Sequence, residues 1–179
     1  MTICVSNVGY KTKGGHLTSP DTQTNWNGIT GRIELIGYKN AHAENVMLWC
    51  DINNKTVRVT AEITGGKSGK AVISAESFNS EKNHTPAVQS FEYTNGKLDA
   101  LYKMGDDCLL WSEHEPNLYK LRIDIDGDVS EHIIGMREFR TEGGKFTING
   151  EKTFLRGKHD GMIFPKTAFA PTALDEWLR

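Results

Sequence analysis

The residues best equipped for chemistry stand in "TFLRGKHDG". Arg156, Lys158, His159 and Asp160 crowd two cations, an imidazole and a carboxylate into one stretch. Histidine is the side chain whose ordinary titration lies near neutrality, and a carboxylate beside it can accept a hydrogen bond from it. A second set is Asn25, Trp26 and Asn27, an indole flanked by two amides. That trio suits the apolar face of a sugar and its hydroxyls, and it equally suits a tryptophan packed between two domains.

Other clusters carry less. Glu113 and Glu115 in "SEHEP" lie in a turn signal beside His114, and Asp124, Asp126 and Asp128 flank a glycine turn. Neither group has the apolar surroundings that separate two carboxyl pKa values into acid and base roles, so both read as solvated turn acids. Ser112, Glu113 and His114 have the residue types of a hydrolytic triad. They are chain neighbours, however, and no Gly-x-Ser-x-Gly turn accompanies them. "DIDGDVSEH" begins like a calcium loop but has Gly135 where the twelfth-position glutamate belongs. The six histidines never pair at a metal-ligand spacing. "GGKSGK" joins two strand patterns and opens no helix, which makes it a hairpin loop rather than a phosphate cradle. No metal or other cofactor is expected.

The elements that must position these residues are strands. "KTVRVTAEI" and "NLYKLRIDI" alternate apolar and polar residues with period two. Further strands are expected over residues 45–52, 70–78, 87–93, 108–111 and 129–140, separated by Asn-Asn, Gly-Gly, Asn-Gly and Asp-Gly turn signals. About seven short strands with no long amphipathic helix predict an all-β, immunoglobulin-like sandwich over residues 41–142. Val57, Val59, Ile63, Tyr119, Leu121, Ile123 and Ile133 are its expected central core. On the flanks, "TICVSN" and "ITGRIELIG" read as strands joined by a long polar loop. "KFTINGEKTFL" reads as a hairpin about Asn149-Gly150. After Pro171, Thr172 followed three residues later by Asp175 opens a helix.

Composition excludes some partners. A formal net charge of -2 with no block of like charge argues against nucleic acid and against an anionic membrane surface. No run reaches the length of a membrane-spanning helix, and residues 1–6 lack a signal-peptide pattern. Cys4, Cys50 and Cys108 are odd in number and irregular in spacing. They read as free thiols, although a Cys50–Cys108 bridge is conceivable.

"NWNGITGRIEL", "LWSEHEPNLYKLRI" and "IGMREFRTEGGKFTINGEKTFLRGKHD", in that order, resemble landmarks of glycoside hydrolase family 2, which includes β-galactosidases, β-glucuronidases and β-mannosidases. The resemblance covers nearly the whole chain. It implies a jelly-roll remnant over residues 1–40, the sandwich over 41–142, and a linker hairpin over 143–179. That last segment would include the first strand and helix start of a (β/α)8 barrel. It further implies that the chain is a piece of a larger exo-acting β-glycosidase. The two catalytic glutamates of the family sit on late barrel strands, so this chain alone is expected to hydrolyse nothing. His159 and Asp160, with Arg156 beside them, would then stand at a barrel-strand end facing sugar. Asn25 and Trp26 would belong to a loop sent towards the same site. Arg137 and Glu138 would bridge sandwich and barrel. The carbohydrate would be a partner only of the intact enzyme, and the apolar tail after residue 157 would invite self-association. The competing reading is an autonomous carbohydrate-binding or adhesion module.

Overall fold

A computed structural model describes residues 2–6, 29, 31–157 and 173–177. Its larger compact unit is Gly37–Leu155; the second comprises Met1–Ile36 and Arg156–Arg179. The larger unit holds strands β1 (His42–Asp51), β2 (Thr56–Thr64), β3 (Ser68–Ser77), β4 (Gln89–Thr94), β5 (Lys97–Lys103), β6 (Tyr119–Ile125) and β7 (Asp128–Ile134). They form one antiparallel sheet in the order β1-β2-β5-β4-β3-β6-β7. Strands β4 and β5 pair only at Thr94 and Lys97, beside their shared turn. The sheet folds on itself there, and its two halves become the layers of an immunoglobulin-like sandwich. The crossovers β2–β5 and β3–β6 give that fold its Greek-key character.

Alternation explains why the layers stick. Along β2 the residues Val57, Val59, Ala61 and Ile63 are buried, while Arg58, Glu62 and Thr64 are exposed. Strand β6 repeats the pattern with Tyr119, Leu121, Ile123 and Ile125. Ala71, Ile73 and Ala75 of β3 and Leu98, Ala100 and Tyr102 of β5 complete a single core. Each fully buried Val, Leu or Ile contributes about 1.5–3 kcal/mol relative to its exposed state. Tyr93 lies over Gly66 and Gly69. A Cβ on either glycine would fall 2.7 Å from the tyrosine hydroxyl oxygen, so absence of a side chain is what admits the ring. At the edge, β1 carries a bulge between Glu44 and Met47, with Asn45 at φ 50°.

Several expectations need correction. "KLDALYK", not expected as a strand, is the interior strand β5; Leu98, Ala100 and Tyr102 already alternate within it. Residues 108–111 are a connecting segment in which Leu110 and Trp111 make only isolated bridges. Residues 129–140 are not one strand, because the chain breaks after Ile134. Gly135 there lies against Trp111, whose ring would stand 3.1 Å from any added Cβ. Ile133 is 61% exposed and Ile134 is buried instead. The inward phase of β7 runs through Ser130 and His132 to Ile134, one residue out of step with the expected core. Residues 2–6 and 31–36 form no strand, since none of the described strands pairs with them.

A second, three-stranded sheet follows within the same unit: β8 (Phe139–Glu142), β9 (Lys145–Ile148) and β10 (Glu151–Thr153). Asn149 and Gly150 turn β9 into β10 with both φ values positive, at 53° and 81°. That is the backbone for which Asn-Gly is the preferred pair in a two-residue hairpin. On one face Phe139 and Phe146 stack with ring centroids 5.4 Å apart, and both are exposed. One helical turn, α1 (Leu174–Trp177), stands where the sequence after Pro171 predicts a helix start.

Candidate functional site

His159, Asp160, Asn25 and Trp26 lie outside the described residues. Arg156 is described and exposed. Arg137 and Glu138 lie just before β8 and engage their own unit. The Arg137 guanidinium sits 4.8 Å from the centroid of the Trp111 ring, and Glu138 pairs with Arg140. Arg137 remains exposed.

Each acidic cluster resolves into turn chemistry. The Ser112 hydroxyl oxygen accepts the Glu115 N–H at 2.9 Å, closing the "SEHEP" turn. His114 and Glu113 lie 3.4 Å apart in solvent. Asp124 accepts the Gly127 N–H at 2.8 Å and so fixes the β6–β7 turn. Asp51 accepts the amides of Asn53 and Asn54, and those bonds hold its carboxyl below the usual carboxylate range. Among the described residues no group of His, Cys, Asp and Glu could hold a metal ion.

The assembled polar groups are ones the sequence did not single out. His42 is buried with Tyr38 stacked on it at 3.4 Å; its Nδ1 faces the Asn40 carbonyl and its Nε2 lies 3.1 Å from Glu44. Glu44 also accepts the Thr64 hydroxyl, and its bonds to His42 and Thr64 lower its pKa. Both imidazole nitrogens are occupied, which leaves none for a substrate.

The second assembly joins His84, Tyr119 and Cys108. The Leu109 N–H donates to the Tyr119 hydroxyl oxygen at 2.8 Å, and that hydroxyl faces His84 Nδ1 at 2.7 Å. The hydroxyl thus accepts from Leu109 and shares one further hydrogen bond with Nδ1. Burial pushes the Tyr119 phenol and the Cys108 thiol up and His84 down, the last opposed by Asp107. All three are thereby held neutral near pH 7, the opposite of groups poised to exchange protons. Beside them a cleft of about 530 Å³ is lined by His84, Pro86, Gln89, Lys103, Asp106 and Asp107. Gln89 is already committed to the Lys103 backbone at 2.8 Å and 3.1 Å. Cys50, pushed up to about 11 by burial, is likewise an unreactive thiol. The first assembly is local, from Tyr38 to Glu44 with Thr64 on the paired strand, whereas the second joins residues 84, 108 and 119, which no sequence spacing connects.

The model of "Glycosyl hydrolases family 2" matches residues 41–137, more than half of the chain and nearly all of the sandwich. A β-galactosidase of Leuconostoc mesenteroides is 25% identical over 131 residues, 66% of this chain and 13% of that protein. A putative β-glucuronidase of Formosa agariphila is 30% identical over 115 residues, 61% of this chain and 12% of its own length. The solved β-glucuronidase of Faecalibacterium prausnitzii superposes with a TM-score of 0.50 at 17% identity, covering 65% of this chain and 18% of that one; the likeness speaks to the fold. The chain thus spans less than a fifth of each of these relatives. With its alternating strands, folded sheet and matched sandwich, the chain belongs to glycosyl hydrolases family 2.

Proposed function

We propose that this chain is a non-catalytic scaffold of a family 2 exo-acting β-glycosidase, whose intact form hydrolyses terminal β-linked sugars with retention, β-galactosides foremost. The observation that carries the reading is the family match centred on a sandwich in which every described acidic cluster is a turn or a surface pair. Retaining hydrolysis requires two carboxyl groups about 5–5.5 Å apart, one as nucleophile and one as acid/base. Support also comes from the exposed apolar run Phe139, Phe146, Phe154 and Leu155, a surface suited to another domain rather than to water. In this reading His159 and Asp160, with Arg156 beside them, contact sugar hydroxyls. Asn25 and Trp26 reach the same site, and Arg137 and Glu138 help to bridge domains.

A second reading, an autonomous carbohydrate-binding or adhesion module, is favoured by the closed core of the sandwich, whose described members all lie within residues 41–136. One experiment separates the two. The protein encoded by the full open reading frame, and this chain alone, are assayed on aryl β-galactoside, β-glucuronide and β-mannoside. The scaffold reading expects turnover of the β-galactoside by the former and none by the latter. Turnover by the isolated chain, or an open reading frame that yields no activity on any of the three, overturns it.

A further inference from the structure

Two Asn-Gly turns close hairpins in this chain with nearly the same backbone. Asn95 and Gly96 join β4 to β5 at φ 54° and 67°, and Asn149 and Gly150 join β9 to β10 at φ 53° and 81°. Their wiring is opposite. At the first turn the Gly96 N–H donates to the Lys67 carbonyl at 2.9 Å and the Gly96 carbonyl accepts the Ile63 N–H at 2.8 Å. The Asn95 side chain has no hydrogen bond within the described residues.

At the second turn it is the side chain that is tied. Asn149 Oδ1 accepts the Glu138 N–H at 2.8 Å, and Asn149 Nδ2 donates to the Trp111 carbonyl at 2.8 Å. The Asn149 N–H donates to the Glu138 carbonyl at 2.8 Å. Trp111 is itself anchored, its N–H donating to the Met136 carbonyl at 2.9 Å and its ring lying against Gly135. One carboxamide therefore fastens the three-stranded sheet to the sandwich. Gly150 is exposed, and its N–H has no partner among the described residues.

Asn-Gly is the dipeptide most open to intramolecular deamidation, because glycine offers no side chain to hinder attack by its backbone nitrogen. The Gly150 nitrogen loses its proton to hydroxide and bonds to Asn149 Cγ, and ammonia leaves from that carbon. Water then opens the resulting five-membered imide at either carbonyl, giving an aspartyl or an isoaspartyl residue. No electron is gained or lost, and water and hydroxide are the only co-reactants. At Asn95 the attacking nitrogen is held by Lys67 between sandwich strands, so reaction needs the sandwich to open. At Asn149 the attacking nitrogen is free. Only the carboxamide is held, and loosening of the joint alone releases it.

We propose that Asn149 is a deamidation site that acts as a one-way release for the three-stranded sheet. The product carboxylate puts an acceptor where Nδ2 donated, so an oxygen faces the Trp111 carbonyl and the tie is lost. The isoaspartyl form also lengthens the backbone inside a two-residue turn and spoils its register. The sandwich is spared, since no residue of β8, β9 or β10 belongs to its core.

The test keeps the full chain at mildly alkaline pH and follows both turns by peptide mapping. Deamidated protein, which gains a negative charge, is separated by ion exchange and examined by hydrogen exchange. Modification at Asn149 is expected about tenfold or more faster than at Asn95, with residues 139–153 exchanging about tenfold or more faster in the modified fraction and β2, β3 and β6 unchanged. Asn149→Asp should reproduce that exchange pattern. If it does not fold, the aged wild-type fraction supplies the same reading. Reaction at Asn95 as fast as at Asn149, or unchanged exchange over residues 139–153 in the modified fraction, overturns the proposal.

Discussion

The sandwich and the three-stranded sheet are built from the same antiparallel hairpins and end in different states. In the sandwich each strand's apolar face meets another across a shared core, and Leu121, Ile123 and Tyr102 are fully buried. In the three-stranded sheet Phe139 and Phe146 stack on each other and stay 49% and 42% exposed. One sheet is secured by what lies opposite it. The other is secured at its turn, through Asn149. Both sheets pair regularly; among the described residues the second buries only Thr147, and its phenylalanines stay at the surface.

The contrast breaks most sharply under truncation of apolar side chains. Leu121→Ala is expected to cost about 2–5 kcal/mol of unfolding free energy, because it opens a cavity between layers. Phe146→Ser is expected to cost less than about 1 kcal/mol, since its ring already borders solvent. Urea unfolding of both variants checks this, and equal losses would mean that the second sheet has a core of its own.

A smaller effect sharpens the polar side of the comparison. Tyr119→Phe keeps the ring in the core but leaves the Leu109 N–H and His84 Nδ1 without their partner. The expected loss is about 1–3 kcal/mol, read from the urea midpoint, with residues 77–88 gaining the most in hydrogen exchange.

The smallest effect is with pH. Burial lowers the pKa of His84 and of His132 below the ordinary value. The unfolded chain then binds more protons than the folded one as pH falls through about 6.5, so this contribution is complete above that pH and is lost below it. The urea midpoint should fall between about pH 7.5 and pH 5.5, and His84→Gln with His132→Gln should flatten that slope. Asp51, Asp99 and Glu44 have lowered pKa values, so their contribution is present at neutral pH and disappears only at more acid values. A midpoint indifferent to pH across that interval would mean the two imidazoles are as well hydrated folded as unfolded.

Much of the sandwich is legible in the chain. β2 and β6 announce themselves because each has one wet and one dry face, and period two survives intact. Strand β5 hid behind Lys97, Asp99 and Lys103, whose charges mask the alternation of Leu98, Ala100 and Tyr102. The adjacent isoleucines at 133 and 134 carry no phase information, and only the register with β6 decides which one turns inward. "ITGRIELIG" has a strand's composition but takes no partner among the described strands, and Leu35 is 93% exposed. The polar assembly at His84 was illegible for another reason. His84 and Tyr119 lie 35 positions apart, and nothing in either neighbourhood names the other.

The close seating of Tyr93 on Gly66 and Gly69 has an evolutionary consequence. Neither glycine has the left-handed backbone that would demand glycine for its own sake; the ring excludes a side chain at Gly69, and the ring together with the Ala41 Cβ at 3.0 Å excludes one at Gly66. Drift at the three positions should therefore be correlated. A lineage that shortens the residue at 93 frees position 69 at once, and position 66 only where residue 41 gives way as well, whereas one that keeps the tyrosine must refuse even alanine at either place.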